Sequence, residues 1–106
     1  MEKTTQNIIT WNRLNNSSIK YCRDTKPSES AHPIYYGALY EACTKVIEIT
    51  NNETSNEARL ENLNTYLKNK AKSLKAKYRA TKIGDYFDAA YVLEHKFIDT
   101  FGSPIR

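Results

Sequence analysis

Residues 57–82 read EARLENLNTYLKNKAKSLKAKYRATK, and the way this stretch winds decides the fold. Leu60, Leu63, Leu67, Ala71, Leu74 and Tyr78 recur at steps of three and four, the interval at which side chains share one face of an α-helix. At about 100° per residue, Lys68, Lys72, Lys75, Arg79 and Lys82 fall within an arc of roughly 80°, displaced by about a quarter turn from the leucine face. One long helix is predicted, with a core face and a cationic face side by side.

The charge of the chain is concentrated in this helix. Residues 1–67 sum to −1, residues 68–82 to +7 with no acid among them, and residues 83–106 to −2, which together give the net +4. Attraction to an anionic partner is therefore expected to be directional rather than spread over the surface. Asn, Lys, Ile and Tyr are abundant, at ten, eleven, nine and eight residues, and their codons are A/T-rich. Codon bias raises the number of lysines, but it explains neither their spacing nor the missing acids. The helix dipole favours acids such as Glu57 and Glu61 at the start and bases at the end, yet it acts over about one turn, whereas the basic strip covers four.

Other elements follow outward from this helix. Gly84 is the expected stop, and Asp85 the expected cap of a fourth helix in which Tyr86, Ala90, Leu93, Phe97 and Phe101 mark the core face, with Phe87, Tyr91 and Ile98 beside them. Residues 57–82 and 85–101 then form a helical hairpin. Upstream, Pro33 suits the first position of a helix reaching about Thr50, capped by Ser30 or His32, with Tyr35, Leu39, Ala42, Val46 and Ile49 inward. Its β-branched end, Val46 to Thr50, could also be read as a short strand. Residues 23–32 form a polar linker. Before it, Ile8, Trp11 and Leu14 predict a short helix from Thr5 to Leu14, interrupted by Asn15-Asn16-Ser17-Ser18.

The expected fold is thus all-α, a single domain over residues 1–106 with a small bundle of about four helices. Leu, Ile, Val and Phe number only 21, so the core should be thin, which points to completion by a partner or by a second copy in a homodimer. No run approaches the 18 or so apolar residues of a membrane span, and the start Met1-Glu2-Lys3-Thr4-Thr5 does not read as a secretory signal. A cytoplasmic protein without membrane attachment is expected. Cys22 and Cys43 have no Cys-x-x-Cys partner and read as reduced thiols.

Chemistry-bearing patterns are sparse. His32 and His95 are the neutral-pH acid/base candidates, one at a helix entrance and the other between Glu94 and Lys96. There is no His-x-x-x-His pair, nucleophile elbow or phosphate-cradling glycine loop. The expectation is a protein that is not an enzyme and uses no metal or cofactor. No motif carries a resemblance to a known family. The function read from the sequence is docking of Lys68, Lys72, Lys75, Arg79 and Lys82 onto an anionic partner, with Tyr66, Lys70 and Lys77 as secondary contacts. Nucleic acid bound with little sequence specificity is favoured, because cations at one-turn spacing match phosphates while side chains for reading bases are few. The alternative is an acidic surface of a host protein, as for a phage-type or mobile-element inhibitor.

Overall fold

The computed structural model describes residues 2–102, with side chains from Thr10 onward. They form a small all-α bundle without strands. Helix α1 spans Glu2–Asp24, α2 Pro33–Asn52 and α3 Asn56–Thr81. The fourth rod begins as α4, Gly84–Tyr91, passes through a π-helical segment, Val92–Lys96, and ends as α5, Phe97–Gly102. Its backbone stays helical through Tyr91, Val92 and Phe97. α1 packs mainly on α2 and α5, and α3 mainly on α4.

The expected break at Asn15-Asn16-Ser17-Ser18 is absent, because α1 runs straight through it. Trp11, Leu14, Ser18 and Tyr21 fall on one face, with Trp11, Leu14 and Ser18 buried and Tyr21 packed at the rim of the core. Four mediocre helix formers cost about 2 kcal/mol relative to alanine, whereas burying a tryptophan and a leucine is worth about 5 kcal/mol or more. Packing wins over propensity. Ile8, the other apolar residue expected on this edge, lies outside the described side chains.

A single 3₁₀ turn, Pro27–Glu29, leads toward α2, which Pro33 opens as expected. His32 occupies the cap position without a side-chain cap, and its N–H donates to Ser30 Oγ at 3.1 Å. The strand reading of Val46 to Thr50 is overturned, since this end is helical, with Val46 and Ile49 buried. The Trp11 indole N–H donates to Thr50 Oγ1 at 3.0 Å, and the Thr50 hydroxyl donates to Val46 O at 2.8 Å. One threonine thereby satisfies the only polar group of the largest buried side chain.

Ser55 caps α3 by accepting the Ala58 N–H at 3.1 Å. Arg59 reaches back from the first turns to Thr50 O and Glu53 O, both at 3.1 Å, and so pairs carbonyls that the end of α2 leaves without helical partners. Leu63, Leu67, Ala71 and Leu74 are buried as the periodicity predicts.

The stop of α3 differs from expectation. Lys82, not Gly84, takes the left-handed conformation at φ 61°, and its N–H donates to Tyr78 O at 2.6 Å. Only Lys82 and Ile83 separate the two helices, so the reversal falls directly after Thr81. Gly84 is already the first residue of α4, with Asp85 inside the first turn rather than at the cap.

In the fourth rod, Ala89, Ala90, Leu93 and Phe97 are buried, but Phe87 and Tyr91 are 47% and 49% exposed. The π segment shifts the register downstream, so Gly102 takes the inner position expected for Phe101. A Cβ on Gly102 would stand 3.2 Å from Thr10 Cγ2. That close approach lets α5 lie on α1, while Phe101 packs edge-on to Tyr21 at the rim, ring centroids 5.4 Å apart.

Candidate anionic-partner interface

Because α3 is unbroken from Asn56 to Thr81, its winding gathers Lys68, Lys72, Lys75 and Arg79 on the flank that borders α4 and the π segment. Lys82 leaves this row, because its left-handed backbone lies beyond the last helical residue. Its ammonium instead stands 5.9 Å from the Tyr78 ring centroid. Of the four cations that remain on the helix, Lys75 is half-buried and donates to Glu94 Oε2 at 2.6 Å. That hydrogen bond holds the Glu94 carboxyl below the usual glutamate range, with further help from the charges of Lys75, His95 and Lys68. Lys68, Lys72 and Arg79 are exposed and have no acidic partner within 4.0 Å among the described residues.

The secondary residues lie elsewhere. Lys70 is on the α2 flank, paired with Glu41 at 2.5 Å. Lys77 approaches the Tyr86 ring at 5.9 Å. Tyr66, expected as an exposed contact, is half-buried between α3 and α2 with the Lys45 ammonium 5.7 Å from its ring. Burial, with Glu41 and Glu48 nearby, pushes its hydroxyl up to about 12. These three residues are not brought onto the Lys68–Arg79 row, because at three to four residues per turn their positions point to the opposite flank.

An exposed aromatic row, which the periodicity alone assigns to the edge of the core, lies next to the basic one. Ile83 is 42% exposed, and with Phe87 and Tyr91 it recurs at steps of four along the outer side of the fourth rod. The Phe87 ring lies 5.4 Å from that of Tyr78 on α3, and Tyr91 lies 5.0 Å from His95. The signal in the sequence was the pair Ala89-Ala90. Two small residues there let the rod approach its neighbours closely and leave the larger rings at its margin.

His32 Nδ1 sits 3.3 Å from Asp85 Oδ2, tying the linker to the start of α4. A groove of about 460 Å³ between α3 and the π segment is lined by Asn64, Lys68, Glu94, His95 and Asp99 over an apolar floor that includes Leu67 and Phe97. Among the described residues its lining holds no serine, threonine or cysteine. Burial pushes the Cys43 thiol up to about 12, so at neutral pH it is protonated and unreactive. Among the described residues no group of three His, Cys, Asp or Glu side chains could hold a metal ion, and no helix is long and apolar enough to cross a membrane. In comparisons with known proteins, no family model matches the chain, no curated protein matches it and no solved structure matches it.

Proposed function

We propose that this is a non-enzymatic cytoplasmic protein that docks the α4-facing flank of α3 onto the phosphate backbone of a nucleic acid, with little sequence specificity. The observation that carries the reading is the row of Lys68, Lys72 and Arg79 on the unbroken α3, exposed and without acidic partners among the described residues. Lys75 stands within the same row, already engaged by Glu94. Lys68 and Arg79 are separated by about 16 Å along the helix axis, a length over which one strand of B-form DNA rises by about five phosphates. Lysine and arginine at that spacing neutralise phosphates without reading bases. Insertion of the fourth rod into a groove is disfavoured, because it carries Asp85, Asp88, Glu94 and Asp99 against Lys96 alone.

Fluorescence anisotropy with labelled oligonucleotides at two salt concentrations tests this reading. Binding should weaken steeply as salt rises. Lys72→Glu with Arg79→Glu should lower the affinity at low salt by about tenfold or more, with the helical circular dichroism spectrum unchanged. Unaltered affinity in that variant would retire the row as a binding surface. Failure to bind any nucleic acid at low salt would leave an acidic protein surface, as in a phage-type inhibitor, to be sought by pull-down from a cellular lysate.

A further inference from the structure

The aromatic row and the basic row are neighbours, and their pairing points to what kind of nucleic acid fits. Lys75 of the basic row reaches Glu94 on the fourth rod, and Tyr78 of the same helix packs its ring on Phe87, so the two rows adjoin. Ile83, Phe87 and Tyr91 expose nearly half of their surface at one-turn intervals, and His95 extends the line through its contact with Tyr91. Within a duplex, base faces are stacked and closed to such rings, whereas an unpaired strand offers phosphates and open base faces together.

Resting on the phosphate-docking reading above, we infer that the ligand is single-stranded nucleic acid, its phosphates along Lys68, Lys72 and Arg79 and its bases stacked on Phe87 and Tyr91. Charge supports this occupant because the acids of the fourth rod are mostly directed elsewhere or neutralised. Asp85 faces His32, Asp88 lies toward Tyr35 of α2, and Glu94 is held by Lys75. Asp99 lies beyond the row, in the groove that it shares with Lys68. Lys82, its ammonium against Tyr78, adds a cation at the Phe87 end of the row. A ring stacked on a base needs no particular base, which agrees with the lack of side chains suited to reading sequence.

The test is anisotropy at low salt with a thymidine oligonucleotide of about twelve residues and with a mixed-sequence duplex of similar length. The wild type is compared with Phe87→Ala/Tyr91→Ala and with the ring-preserving Phe87→Tyr/Tyr91→Phe. The single strand should bind about tenfold tighter than the duplex. The alanine pair should lose about tenfold or more on the single strand only, and the ring-preserving pair should keep wild-type affinity. Both native rings are half-exposed, so circular dichroism should show the alanine variant folded. Equal binding of both oligonucleotides with no effect of the alanine pair would overturn this inference and leave phosphate docking standing. Loss of a dimer by sedimentation in the alanine pair, with oligonucleotide affinity unchanged, would overturn it in favour of a second copy on this face. No binding of either oligonucleotide would remove the phosphate reading itself.

Discussion

Lys82 holds a conformation that costs an L-residue about 1–2 kcal/mol, and it does so because the only other residue of the α3–α4 connection is Ile83, whose β-branched side chain tolerates a left-handed backbone still less. Lys82→Gly should therefore raise stability by about 1 kcal/mol, seen as a rise of several degrees in the thermal midpoint; an unchanged or lower midpoint would contradict that account of the turn. Such details were hard to read from the sequence, where Gly84 offered the obvious left-handed position and lies two residues too late. Ser18 was equally hidden. It is fully buried, and among the described residues only the weakly hydrogen-bonding Cys43 thiol faces its hydroxyl, a cost that no propensity rule would place inside a core. Its small volume explains why the helix accepts it, since α1 and α2 pack closely there through Ala42 and Cys43.

At the scale of elements, α3 was legible nearly to its ends because its leucine period, its Ser55 cap and its length agree with one another. α1 was not, since its polar middle suppresses the local signal and only contact with α2 and α5 reveals that the face is continuous. The π segment was also invisible, because Tyr86, Ala90, Leu93 and Phe97 fit an ordinary helix period up to the point where the register shifts. Lys75 and Glu94 lock α3 to this segment, and their pairing has a titration signature. Glu94 sits below the usual glutamate range, so its contribution to stability is present above the ordinary value of about 4.3 and lost as pH falls through its own lower one. Carbon-detected NMR should find the Glu94 carboxyl titrating below the other glutamates, and Lys75→Met should return it toward them. A carboxyl that titrates with the rest in the wild type would mean that the bridge does not form in solution.

Across the whole molecule, the charge split along the chain becomes a split in space, and this is where the sequence reading and the folded protein diverge most usefully. Counting alone offers seven cations over residues 68–82. Folding spends Lys70 on Glu41 and Lys75 on Glu94, turns Lys77 and Lys82 toward rings, and leaves Lys68, Lys72 and Arg79 facing outward. The two acids, Glu41 and Glu94, lie 19 or more residues from their lysines in sequence, so helical periodicity could place the basic face but could not subtract the acids opposite it. The adjoining rings of Phe87 and Tyr91 escaped for the same reason, because their exposure depends on how closely Ala89 and Ala90 let the helices approach.

Amide chemical-shift mapping of the isotopically labelled protein during titration with a short oligothymidylate tests the central claim most directly. The perturbed amides should cluster at 68–81 of α3, at the two-residue connection and at 84–95 of the fourth rod, and the shifts should fade as salt is added. Perturbations confined to α1 and the outer face of α2, or none at all at low salt, would contradict the account.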